Sequence, residues 1–349
     1  ITNSGSGRFQ TGSTNRDLFN SLTTFNNIGS ARFHFAQNHT GQTTVFNSDL
    51  ILNSNKTGGT DAWSYFICEG TNTSVQYNGN LTYNIQGALQ SNCRVLQGSG
   101  TTALYNGNLS INLTNSHPST QIQMGETGVS TYNGNIVVRN TAGGTSSGIF
   151  FNNGAAASST LAAGRTISLG AGGVVSGDLS LLRFTQLSAT PQTLIQTTGN
   201  GRLILGPISR FDGDVNFNFP QLFLNGATYN GTATMQKNGA TDNTSVGGNI
   251  FNGVTSITNS SSANFLRLAN SNADNYNADV TFSQNHAGVL APNYNTNCTY
   301  GGNVTISAPS TYTITFGSAA GGIATFNGTT AQTINKSGSV TNPVFTRLV

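Results

Sequence analysis

Charge is what this chain has least of. Only 7% of its 349 residues are charged, against roughly a quarter in an average soluble protein. The 14 Lys and Arg residues give a net charge of +3 but form no basic run. Nucleic-acid binding needs a concentrated basic stripe, so a nucleic-acid partner is excluded. No apolar run approaches the roughly 20 residues of a membrane span, so none is expected. Three cysteines, Cys68, Cys93 and Cys298, do not make a disulfide framework. Buried free thiols are expected, although Cys68 and Cys93 lie about one repeat apart and could stack as neighbours. Proline is also scarce, at 7 residues. That suits a β ladder, because proline has no N–H to give it. Helix is nearly excluded, since no window carries apolar residues at a 3.6 period with caps.

What the sequence does have is one phrase, rewritten many times. Tyr105-Asn106-Gly107-Asn108-Leu109 returns as Tyr77-Asn78-Gly79-Asn80-Leu81 and Tyr132-Asn133-Gly134-Asn135-Ile136. Looser copies include Phe211-Asp212-Gly213-Asp214-Val215, Tyr300-Gly301-Gly302-Asn303-Val304 and Phe326-Asn327-Gly328. The asparagine falls at Asn20, Asn47, Asn78, Asn106 and Asn133, and again at Asn230, Asn252, Asn277 and Asn327. An apolar landmark lies between successive copies, at Phe35, Cys68, Leu96, Met124 and Phe151. A repeat of about 25 residues with two or three short alternating strands and no helix has one natural solution. Each unit winds round once and stacks on the last.

The expected fold is therefore all-β: a single parallel β-solenoid of roughly 12–14 coils over residues 1–349. Regular coils are expected over 1–154 and 229–349, with variant coils at 155–228. In that stretch Leu181-Leu182-Arg183-Phe184 and Leu203-Ile204-Leu205 read as longer, more apolar strands. Stacking at one strand spacing predicts a rod on the order of 60 Å. The aromatic and the aliphatic of the phrase should point inward. Asn-Gly should supply positive φ at the corner, and the Asn side chains should bond up the axis as a ladder. A longer repeat overlies the short one: Phe35-Ala36-Gln37-Asn38-His39 matches Phe282-Ser283-Gln284-Asn285-His286. The protein is thus expected to be a window of a longer tandem array, with adjacent copies of the same repeat as partners.

Catalytic chemistry finds little to build on. Glu69 and Glu126 are the only glutamates. The one tight carboxylate pair, Asp212 and Asp214, occupies the two amide slots of the phrase and reads as a turn variant, although a glycosidase-like pair has this spacing on a strand. Asp17 and Asp274 hold matching repeat positions, and so do His39 and His286, which points to the scaffold. His34 and His117 complete the histidines, and no spacing suits a metal. Trp63, Tyr65 and Phe66 lie in the longest insertion, where packing or a sugar platform would use them. No catalytic, cofactor or metal residue is assigned, and the protein is read as a non-enzyme.

Phrases such as Tyr105 to Ile111, Gly321 to Gly328 and Leu222 to Gly231 resemble tandem repeats of giant secreted proteins of gliding Bacteroidota, the SprB-type surface adhesins. The resemblance covers essentially the whole sequence. It implies export to the cell surface and a structural stalk or filament role in adhesion or gliding; surface polysaccharide is a further candidate partner. Two rivals remain open: a carbohydrate-binding or polysaccharide-cleaving β-helix, and an ice-binding solenoid marked by regular Thr-x-Thr rows.

Overall fold

The computed structural model describes residues 1–5, 7–12, 15–29, 33–35, 41–55, 66–68, 74–87, 94–97, 102–116, 120–125, 127–142, 147–308, 312–317, 321–337 and 344–345. The fold is an all-β parallel β-solenoid with coils of roughly 26 residues. No helix occurs among the described residues. The protein forms two compact units, Ile1–Leu187 and Ser188–Val349. The division falls inside the stretch expected to hold variant coils, not at either of its ends.

In the first unit each coil contributes three strands, one to each of three parallel faces, and seven coils follow one another. The strand after the aromatic-Asn-Gly corner opens the first face. Leu50, Leu81, Leu109, Ile136 and Ile167 pair in register there. Alternation decides the inward set: in Leu81–Gly87, Leu81, Tyr83 and Ile85 are buried while Thr82 and Asn84 face outward. Full burial of each such side chain contributes about 1.5–3 kcal/mol. Because the same letter recurs in every coil, the gain repeats up the column.

The second unit uses the same corner. Its first face runs through Gln192–Ile195, Val215–Phe219, Ala233–Lys237, Thr255–Asn259, Val280–Gln284, Val304–Ser307 and Ile334–Ser337, all parallel. One coil is shorter than expected. Phe211 already pairs with Tyr229, whereas the partners in the regular coils of the first unit lie as far apart as Tyr77 and Tyr105. A single residue, Pro220, separates the strands Val215–Phe219 and Gln221–Leu224 in that coil.

Two expectations for residues 155–228 need correction. Leu181-Leu182-Arg183-Phe184 is not one long strand. It is a corner between Asp178–Leu181 and Phe184–Gln186, with Arg183 at φ 49°. Leu203 to Leu205 lie in an ordinary four-residue strand, Arg202–Leu205. The glycines Gly172 and Gly173, at φ 87° and 65°, make the bulge that breaks the register of Ile167–Val174 against Ile136–Asn140.

Candidate functional surfaces: corner ladders and an outward hydroxyl face

The corner begins with its aromatic ring. In the first unit Phe19, Phe46, Tyr77, Tyr105 and Tyr132 stack with centroids 4.6, 5.4, 4.9 and 4.6 Å apart and planes within 18°. In the second, Phe211, Tyr229, Phe251, Tyr276, Tyr300 and Phe326 stack at 5.7, 4.8, 4.9, 5.2 and 5.3 Å. The spacing follows from the strands: the ring has no other place to go when the backbone below it lies one ladder step away.

The next residue carries an amide column with a direction. Asn47 Nδ2 donates to Asn20 Oδ1, Asn78 to Asn47, Asn106 to Asn78 and Asn133 to Asn106, each at 2.8 Å. In the second unit Asn252 donates to Asn230 and Asn277 to Asn252, both at 2.7 Å. Every amide gives its proton to the preceding coil. A carboxylate can therefore stand only at the base of a column, where nothing below needs a donor. Asp212 stands there: it accepts from Asn230 Nδ2 at 2.6 Å and is held by Arg210 Nε at 2.6 Å. Gly301 occupies the slot above Asn277 and has no amide to donate. Asn327 above it is tied through its backbone N–H to Tyr300 O at 3.0 Å.

The second polar residue of the phrase makes a different column. Its side-chain oxygen accepts the backbone N–H of the next coil: Asp49 from Asn80, Asn80 from Asn108, Asn108 from Asn135 and Asn135 from Thr166, at 2.8–3.0 Å. Asp214 accepts from Thr232, and Asp279 from Asn303, in the same way. Only an acceptor is needed, so Asp serves as well as Asn. The pair Asp212/Asp214 thus consists of one residue from each column.

Positive φ is the sequence expectation for the glycine between them, and the structure corrects it. Gly79, Gly107 and Gly134 do not have positive φ. A Cβ on Gly107 would lie 2.2 Å from Gly79 O, and one on Gly134 would lie 2.2 Å from Gly107 O. The corners stack backbone on backbone, and the missing side chain lets them do so. Ser21, Ser48 and Ala278 hold this slot in other coils, so a small side chain is also accepted there.

A third column was missed in the sequence. On the outward side of the first face Asn53 donates to Asn26, Asn84 to Asn53 and Asn112 to Asn84, at 2.9–3.0 Å. Its steps of 27, 31 and 28 residues are those of the corner column from Asn20 to Asn106. That coincidence was the available signal, hidden among many other asparagines.

The apolar landmarks do not form one column. Phe35 pairs with Cys68, and Met124 pairs with Phe151; the last two are fully buried. Leu96 stands one place off: it pairs with Ile67 and Gln123, while Gln97 faces Cys68. The coil from Asn78 to Asn106 is one residue longer than the next, and the extra residue precedes Arg94–Gln97. Counting a fixed distance from the corner therefore missed by one. Trp63, Tyr65, Glu69, Cys93, His39, His117 and Glu126 lie outside the described residues.

The matching repeat positions Asp17 and Asp274 both lie two residues before a corner aromatic, but their surroundings differ. Asp17 is half-buried. Asp274 is fully buried; its Oδ1 accepts from Asn249 N and Nδ2, both at 2.8 Å, and its backbone N–H donates to Cys298 Sγ at 3.4 Å. Its Oδ2 has no partner, like the hydroxyls of Tyr229 and Tyr276. Burial pushes its carboxyl up to about 7, against the opposing hydrogen bonds from Asn249. Burial also raises the Cys298 thiol, which favours the neutral, inert form. His34 is buried and His286 exposed. Among the described residues no three His, Cys, Asp or Glu gather as metal ligands.

The first face of the second unit presents two outward columns of small hydroxyls. Thr234, Ser256, Thr281 and Thr305 pair in register, and two residues along, Thr258, Ser283 and Ser307 do the same. None of these seven hydroxyls is hydrogen-bonded within the unit. At one end of the face a shallow hollow of about 220 Å³ is lined by Pro191, Thr193, Asp214, Asn216, Thr232 and Thr234.

Comparison of the sequence and fold with protein-family models, with characterised proteins and with solved structures finds no match. The residues and the coils therefore define the class, a parallel β-solenoid with in-register corner ladders, and the resemblance to gliding-surface adhesins rests on the phrases quoted above.

Proposed function

We propose that the protein is a structural segment of a secreted surface filament or adhesin, whose task is to be a stiff spacer. The observation that carries this reading is how many different columns bind successive coils within each unit. Aromatic stack, amide column and backbone-capping column all join a residue to its counterpart one coil away. A repeat built this way gains stability by nearest-neighbour interfaces and extends without a new design. The partners on this reading are adjacent copies of the same repeat and a surface polysaccharide, and the location is extracellular. Electron microscopy of the native assembly on intact cells, with an antibody to this protein, tests it. Labelled extended fibres outside the cell support the reading; a compact intracellular particle overturns it.

A second reading is favoured by one observation, the paired hydroxyl columns on the second unit. Rows such as Ser256-x-Thr258, Thr281-x-Ser283 and Thr305-x-Ser307, unbonded within the protein, offer a repeating set of hydroxyls to a repeating ligand such as ice. Thermal hysteresis of the purified protein tests this. Absence of hysteresis and of ice shaping would remove it.

A further inference from the structure

We propose that Asn153 is the site at which this protein undergoes spontaneous deamidation, and that the ladders shield the other Asn-Gly pairs from the same reaction. The sequence holds ten Asn-Gly pairs, beginning at Asn78, Asn106, Asn133, Asn153, Asn200, Asn225, Asn230, Asn238, Asn252 and Asn327. An Asn-Gly pair is intrinsically reactive because no side chain hinders the glycine nitrogen. That nitrogen attacks the asparagine Cγ and forms a new bond to it, while the bond from Cγ to Nδ2 breaks. The departing amide leaves as ammonia, carrying the glycine N–H proton. Water then opens the succinimide at either carbonyl to give aspartate or isoaspartate.

The reaction needs a side-chain amide free to turn onto its own backbone and a glycine nitrogen free to attack. Nine pairs lack one of these. In the columns, Asn78, Asn106, Asn230 and Asn252 each donate through Nδ2 and accept through Oδ1, and Asn133 donates to Asn106. Asn238 donates to Gln196 O and Asn218 Oδ1, and Gly239 N is engaged by Pro220 O at 3.0 Å. Asn200 Oδ1 accepts from Gln221 and Thr241, and Asn225 Oδ1 accepts from Val246 N. At Asn327 the nucleophile itself is held, since Gly328 N donates to Gln332 Oε1 at 2.7 Å. Asn153 alone has neither restraint. Its side chain is exposed and unbonded, and it lies outside the strands, just ahead of the turn that Gly154 and the exposed Ala155 and Ala156 make. Its neighbour Asn152 is fixed, with φ 60° and its Nδ2 on Leu182 O, so the free amide lies next to an anchored one.

Releasing one or two amide hydrogen bonds before cyclisation slows the reaction by roughly ten- to a hundredfold. The test is peptide mapping by mass spectrometry of the intact protein held in mildly alkaline buffer at physiological temperature, with a parallel sample unfolded in urea. In the folded protein Asn153 converts first, as a mixture of aspartate and isoaspartate, and the column residues lag by at least about tenfold. In urea all ten pairs convert at comparable rates. If Asn106 or Asn252 converts in the folded protein as fast as Asn153, or if Asn153 is no faster folded than its lagging neighbours, the proposal fails. Asn153→Gln removes the early product without touching any column, and persistence of that product would equally overturn the assignment.

Discussion

The two units share a corner and differ in what they do with polar groups. In the first unit the outward side of the first face is closed on itself, with Asn26, Asn53, Asn84 and Asn112 bonded in a column. In the second, the equivalent face carries hydroxyls bonded to nothing in the unit. The interiors of both units mix apolar and polar fillings, and among the described residues only the second fully buries a lysine and an aspartate in them. At the inner end of the first-face strands the first unit places Asn27, Ser54, Ile85, Leu113 and Asn140, and the second places Phe219, Lys237, Asn259 and Gln284. Two residues before the aromatic the first unit runs Asp17, Thr44, Val75, Ala103, Ser130, and the second runs Ser209, Ala227, Asn249, Asp274, Cys298. One corner design therefore tolerates very different fillings, provided each buried polar group finds an acceptor or is neutral.

Asp274 gives the largest test of that contrast. Its carboxyl titrates at about 7 in the folded unit and near 4 when unfolded. The folded state thus holds the proton more tightly, and the group's contribution is complete below about pH 4 and lost as pH rises through about 7. A difference of that size corresponds to about 4 kcal/mol. Denaturant titrations of the second unit's transition should show stability falling over that window, and Asp274→Asn should flatten the fall. A slope unchanged in the variant would mean that Asp274 is not the group responsible. Lys237, also buried, works against folding below its own lowered value of about 8, because burial disfavours its charged form.

The glycine slot ranks next. Gly107→Ala drives a Cβ against Gly79 O, backbone against backbone, and is expected to cost about 3 kcal/mol. Gly164→Ala meets no atom within 4 Å and bears only the strain of its φ of 75°, about 1 kcal/mol. Equal losses in thermal denaturation would show that conformation, not contact, selects glycine at the corner.

Much of this is readable in the sequence, and the reasons are local. A tandem repeat announces its fold because each landmark must meet its own copy; the aromatic-Asn-Gly spacing suffices for parallel coils and for the amide column. The role of Gly107 is not readable in the same way. Asn-Gly implies a left-handed turn in an isolated hairpin, while here the constraint comes from Gly79 in the coil below. Leu96 is misplaced by counting because one inserted residue shifts a strand by half its period. The Asp/Asn choice at Asp212 and Asp214 is legible as a repeat feature. Its cause is not, since donor direction is a property of the stack and not of the phrase.

That direction makes the next prediction. Asn106→Asp and Asn108→Asp add the same charge two residues apart. Asn106 must donate to Asn78, so the carboxylate loses a bond and sets two oxygens against each other; about 1–2 kcal/mol is expected. Asn108 only accepts from Asn135 N at 2.9 Å, as Asp49 and Asp214 do in their own coils, so its change should fall within about 0.5 kcal/mol. Comparable losses in the two variants would deny the column its polarity.

The smallest effects separate the two outward faces. Asn84→Ala removes one amide that both donates to Asn53 and accepts from Asn112, and about 1 kcal/mol should be lost from the first unit. Thr281→Val keeps the β-branched shape that suits a strand and removes a hydroxyl with no partner in the unit, so stability should change by less than about 0.5 kcal/mol. Chemical denaturation of both variants decides the matter. A costly Thr281→Val would mean that the hydroxyl column contributes to holding the coils together, as the amide column does. A silent one leaves those hydroxyls with no structural reason to be there, and strengthens the case that they face a ligand.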